Sequence, residues 1–90
     1  MSSDSALSNE GYALDVSKVF GKVLRQHRKG LGLTQEQLAL EAGIQRNYVS
    51  LIERGINQPT ISMLFKLAEP LNCTPSEILK NVENLLNEQG

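Results

Sequence analysis

Arg46 and Asn47 stand side by side, and Ser50 and Leu51 follow one helical turn later. A guanidinium or a carboxamide can make two parallel hydrogen bonds to the flat edge of a base. Arginine suits guanine, asparagine suits adenine, and a leucine can cover a thymine methyl; each good contact is worth roughly 1–3 kcal/mol of discrimination. No catalytic set competes with this chemistry. The chain has no paired carboxylates, nucleophile–base couple, phosphate-binding loop or metal-ligand cluster. His27 is the single histidine and Cys73 the single cysteine, which rules out an internal disulfide and leaves no zinc-ligand set. No enzyme activity, cofactor, metal or small-molecule ligand is expected.

The elements that must position these residues lie in Thr34–Gly55, TQEQLALEAGIQRNYVSLIERG. Thr34 is a good N-cap, and Gln37 three residues on completes a capping box. Leu33 and Leu38 can close a hydrophobic staple over it. Gly43 supplies a left-handed residue to end that helix. A second helix runs from about residue 45 to 54, with Val49 and Ile52 inward. Counted from Gln35, Ala39 is fifth, Gly43 ninth, Val49 fifteenth and Ile52 eighteenth. A small residue at the fifth position allows a close crossing, glycine at the ninth makes the turn, and the apolar pair pins the second helix. This spacing predicts a helix-turn-helix, whose second helix enters the DNA major groove.

At these residues the sequence resembles the phage repressor and Cro (XRE) family of helix-turn-helix domains. The resemblance covers about residues 17–80. It includes Arg25-x-x-Arg28, Leu33-Thr34-Gln35, Leu38-Ala39, Gly43, Val49-Ser50, Ile52-Glu53-Arg54-Gly55, Pro59 and Leu67-Ala68-x-x-Leu71. It implies an all-α, five-helix, lambda-repressor-like fold and binding to double-stranded DNA. It also points to Arg46, Asn47, Ser50 and Leu51 as base readers. In such domains an arginine matching Arg28 pairs with a glutamate matching Glu53, so a structural ion pair is favoured over a DNA contact for Arg28. Gln35 matches a glutamine used on phosphate, at a helix start whose amides and dipole suit an anion. Arg54, Asn57 and Gln58 fall where relatives touch the DNA backbone. Tyr48 has two readings, phosphate contact or packing. Gln45 is a weaker cap than Ser or Thr, and the loop after Gly55 is neutral where relatives carry lysine.

Net charge is −1, yet the basic residues are concentrated. Residues 18–66 hold eight of them against Glu36, Glu41 and Glu53, while the flanks are acidic. Basic charge therefore coincides with the motif, as a phosphate-facing surface requires. No apolar run approaches the ~20 residues of a membrane span, and the first residues lack the pattern of a signal peptide. A cytoplasmic location is expected.

The remaining chain reads as a polar tail over 1–13 and one domain over 14–87, with helices at about 16–29, 35–42, 45–54, 60–70 and 75–87. Asp15 or Ser17 can cap the first helix. Thr60 caps the fourth, with Ile61, Leu64, Leu67, Ala68 and Leu71 on its inner face. Pro70 removes an amide donor from the last turn and should bend or end that helix early. Thr74-Pro75-Ser76-Glu77 is a second capping box. Leu79, Val82, Leu85 and Leu86 of the last helix either form a homodimer interface or cap the core; the dimer is the expectation.

The function expected is a sequence-specific transcriptional regulator, a repressor or autoregulator, bound as a dimer to a palindromic operator. The compact size resembles restriction–modification controllers and small mobile-element regulators. An exposed acidic face could also meet RNA polymerase. The alternative is an antitoxin or another protein-interaction module built on the same domain.

Overall fold

The computed structural model describes residues 10–89, and the expected tail lies outside the described residues as far as residue 9. Five helices occupy this span: α1 (Glu10–Gly30), α2 (Gln35–Ala42), α3 (Arg46–Glu53), α4 (Ile61–Ala68) and α5 (Pro75–Gln89). No strand is present among the described residues, and no helix of the described residues is long and apolar enough to cross a membrane.

The caps follow local chemistry. The Thr34 hydroxyl accepts from the Gln37 amide at 3.0 Å, and the Gln37 carboxamide accepts from the Thr34 amide at 2.8 Å. Thr74 and Glu77 repeat the arrangement at the start of α5, at 3.1 and 2.7 Å. Gly43 adopts φ 73°, and the Ile44 amide returns to the Ala39 carbonyl. This is the left-handed closure that lets α2 turn sharply into α3. Gln45 is the N-cap of α3 but makes no side-chain cap bond. α4 ends at Ala68, two residues before Pro70; Glu69 between them still has helical dihedrals, φ −59° and ψ −55°, and Pro70 has no amide with which to carry the helical ladder on.

One largely aliphatic core joins all five helices. Val19, Phe20, Val23 and Leu24 of α1 meet Leu38, Ala39 and Ala42 of α2, Val49 and Ile52 of α3, and Leu64, Leu67 and Ala68 of α4. Ile78, Val82 and Leu86 of α5 close it.

Three expectations are corrected here. α1 starts at Glu10 rather than near residue 16, so residues 10–13 are helical and Asp15 and Ser17 lie inside the helix instead of capping it. Val82 and Leu86 are buried within the chain and cannot serve a dimer interface. The reason is the length of α1, which gives α5 a long neighbour to pack along. Leu85 is partly buried against the same core, and only Leu79 of that set is exposed. Ile61, expected inward, is exposed: it is the first residue of α4, beyond the packed stripe that starts at Leu64.

Candidate nucleic-acid interface

α3 is eight residues long, too short to be stable alone in water. Its inner face is fixed by Val49 and Ile52, both fully buried. Its C-terminal end is fixed by polar contacts that converge on Glu53. The Arg28 guanidinium donates from Nε to Glu53 Oε2 at 2.6 Å and from Nη2 to Oε1 at 2.9 Å. A third bond runs from Arg28 Nη1 to the Leu33 carbonyl at 2.8 Å. Gln35 Nε2 donates to Glu53 Oε1 at 3.1 Å. The Glu53 carboxylate thus ties the last residue of α3 to α1 and to the first residue of α2, and Arg28 extends the tie to the loop before α2. The two charged side chains are 9% and 3% exposed, and such burial is tolerable because the fork-to-fork geometry satisfies both groups.

A second device holds the same end of α3. Gly21, in the middle of α1, lies beneath it. A Cβ at this position would stand 2.5 Å from the carbonyl oxygens of Ile52 and Glu53. Only a residue without a side chain permits that crossing. Sequence reasoning passed over Gly21; the available signal was a glycine interrupting an otherwise regular apolar stripe, VFGKVL.

With α3 held this way, Arg46 and Asn47 are exposed and Ser50 and Leu51 half-buried on its outer side. None of the described side-chain hydrogen bonds engages Arg46 or Asn47. Two shallow hollows flank the helix start. One, of about 430 Å³, is lined by Arg28, Lys29, Gln35 and Arg46 among others and opens at the N-terminus of α2. The other, of about 540 Å³, is lined by Gln45, Asn47, Tyr48, Leu51, Asn57 and Lys66 among others. The structure therefore brings Arg46 and Gln35 together on one side, and Asn47, Tyr48, Leu51 and Asn57 on the other. Tyr48 is half-buried against the core. Arg54 is exposed just beyond α3. Gln58 is exposed and donates to the Ser17 hydroxyl at 2.6 Å, which fastens the loop after α3 to α1. His27 is not part of this surface: its Nε2 meets the Asn81 amide at 2.9 Å, linking α1 to α5. Cys73 also lies elsewhere, with its thiol pushed up by burial and then by the Glu77 carboxylate. No cluster of potential metal ligands occurs among the described residues.

The helix-turn-helix family model matches residues 24–78. The chain belongs to this helix-turn-helix family. Among its relatives is the control protein C.SmaI of Serratia marcescens, 35% identical over 77 residues, which spans 86% of this chain and 90% of that protein. The restriction–modification controller protein C.AhdI of Aeromonas hydrophila superimposes with a TM-score of 0.67 at 41% identity, covering 71% of this chain and 96% of that one. SinR, a master regulator for biofilm formation solved in complex with DNA, matches with a TM-score of 0.64 at 33% identity, over 67% of this chain and 97% of that one. The family and its named members are DNA-binding transcriptional regulators, not enzymes.

Proposed function

We propose that this helix-turn-helix protein acts in the cytoplasm as a homodimeric, sequence-specific regulator that reads a palindromic operator through the outer face of α3. The observation that carries the reading is the exposed Arg46–Asn47 pair, which has no side-chain hydrogen bond among the described residues, on a helix whose inner face, Val49 and Ile52, is fully buried. Arg46 and Asn47 supply the bidentate base contacts, while Ser50 and Leu51 complete the reading surface. Gln35, Tyr48, Arg54, Asn57 and Gln58 are assigned to phosphates around them. Gln35 and Gln58 each spend one amide hydrogen inside the protein and keep a second to offer. Half-sites would lie about one helical turn apart. Repression or autoregulation by occlusion of the promoter is the simplest mechanism, and the similarity to control proteins supports a small regulator of that kind. An acidic contact with RNA polymerase has one supporting observation: α2 exposes Leu40 between Glu36 and Glu41.

The test is fluorescence anisotropy on DNA from upstream of the gene, over a salt series. Tight binding that is lost in Arg46→Ala/Asn47→Ala, with the fold intact, is the expected result. Equal and weak binding to native and scrambled DNA would refute base reading at this operator and favour an interaction module such as an antitoxin.

A further inference from the structure

A DNA-binding surface needs cations for phosphates as well as hydrogen-bonding groups for bases, because each phosphate neutralised by a lysine or arginine releases a condensed counterion. Of the residues assigned above to phosphates, Arg54 alone is charged. The loop after Gly55, Ile56-Asn57-Gln58-Pro59, is neutral, and the Arg28 guanidinium is committed to Glu53. Two lysines from other helices stand where charge is missing. Lys29, in the last turn of α1, lines the hollow that holds Gln35 and Arg46. Lys66, in the last turn of α4, lines the hollow with Asn47, Tyr48, Leu51 and Asn57 and is the one charged residue in that lining. Both lysines are exposed, and neither is in an ion pair among the described residues. A third lies at the far end of α3. A Cβ at Gly55 would stand 3.0 Å from Lys18 Cγ, so the Lys18 stem crosses Gly55. Its neighbour Ser17 accepts from Gln58 of the same loop. The exposed Lys18 ammonium is thereby held beside that loop.

We infer that Lys18, Lys29 and Lys66, carried by α1 and α4, are the phosphate anchors of this protein; the inference rests on the DNA-reading function proposed above and moves its electrostatic part from the loop after α3 to the flanking helices. With α3 in the major groove, the two hollows beside its start face the two strands that border the groove. Lys29 therefore meets one strand and Lys66 the other, while Lys18 meets the backbone beyond the C-terminal end of α3. Such contacts hold the protein on any duplex and carry no base preference, which stays with Arg46 and Asn47. Lys80 provides the contrast. It is equally exposed, but the hollows it lines contain none of the residues assigned to DNA. Lys29 and Lys66 have a competing structural duty, since a cation in the last turn of a helix is favoured by the helix dipole. That duty shows in thermal melting and leaves the salt dependence of DNA binding unchanged.

The experiment is fluorescence anisotropy of the full chain on the upstream duplex and on a scrambled duplex, from about 50 to 200 mM salt. Wild type is compared with Lys18→Gln, Lys29→Gln, Lys66→Gln, the triple variant, Lys80→Gln and the charge-keeping Lys18→Arg/Lys29→Arg/Lys66→Arg. Each phosphate contact contributes about 0.9 to the slope of log affinity against log salt. Each single glutamine variant should therefore flatten the slope by about one, and the triple by nearly three, on both duplexes. Across that salt range wild type should lose on the order of forty times more affinity than the triple. The ratio of upstream to scrambled affinity should hold, Lys80→Gln should keep the wild-type slope, and the arginine triple should restore it. If the glutamine triple fails to fold, the single variants decide. A slope indifferent to the three lysines would overturn the inference and leave base reading standing. So would Lys80→Gln flattening the slope as much as the others, since bulk charge would then suffice. A lysine variant that lowers the upstream-to-scrambled ratio would overturn the phosphate role of that lysine. Absence of wild-type binding to both duplexes would strike the functional reading together with this one.

Discussion

Replacing Glu53 by alanine should be among the most damaging single changes in this protein. The substitution removes both acceptors of the Arg28 fork and the acceptor of the Gln35 amide, leaving Arg28 with the Leu33 carbonyl alone. Both charged side chains are almost fully buried, at 9% and 3% exposure. Removing one partner of such a pair costs about 3–5 kcal/mol, because a buried charge is left uncompensated. A domain of this size is stable by only about 5–10 kcal/mol. At about 4–8 °C per kcal/mol, the lower bound already predicts a fall in Tm of roughly 12 °C or more. Thermal melts followed by circular dichroism measure this directly. A companion variant, Arg28→Met/Glu53→Leu, separates charge from shape: apolar replacement of both partners should recover most of the loss. If Glu53→Ala costs less than about 1 kcal/mol, the pair behaves like an exposed salt bridge. The argument that it fixes the end of α3 would then be wrong.

Three further outcomes follow from the same geometry. Gly21→Ala should destabilise by about 1–3 kcal/mol in urea titrations, because overpacking against backbone outweighs the better helix propensity of alanine. An unchanged midpoint would mean that α1 can shift away from α3. Thr74→Ala should cost about 1 kcal/mol through loss of the α5 cap, and any increase in stability would contradict the capping geometry. Cys73 should alkylate more slowly at neutral pH than a free thiol, with the rate rising only above the ordinary thiol range, since burial and Glu77 both disfavour the thiolate. A pH–rate profile with iodoacetamide tests this, and Glu77→Gln should move the profile toward lower pH.

Much of this architecture was readable where local chemistry decides it. The capping boxes at Thr34 and Thr74, the turn at Gly43, the inward Val49 and Ile52 and the early end of α4 before Pro70 all depend on residues within a turn of one another. The family resemblance supplied the pairing of Arg28 with Glu53, which spacing alone could not, since 25 residues separate them. What escaped was long-range. The early start of α1 is not legible, because residues 1–13 are Ser-rich and without clear periodicity. The burial of Val82 and Leu86 is not legible either, because the space between α1 and α5 cannot be gauged from a list of apolar positions. Gly21 looked like a mild defect in a helix until the crossing of α1 beneath α3 gave it a reason. On the outer surface, the identities of Arg46 and Asn47 were plain, but the hollows beside them depend on the angle between α2 and α3.

The convergence of Arg28 and Gln35 on Glu53, with Arg28 also held by the Leu33 carbonyl, has a consequence for how this protein can change over time. The contacts that hold α3 lie on its inner face and at its last residue, whereas Arg46 and Asn47 take no part in them. The residues proposed to meet bases can therefore be exchanged without loosening the scaffold that presents them. Such a helix can be rewritten for a different operator by substitutions at its exposed positions alone, each tested by selection at little risk to folding.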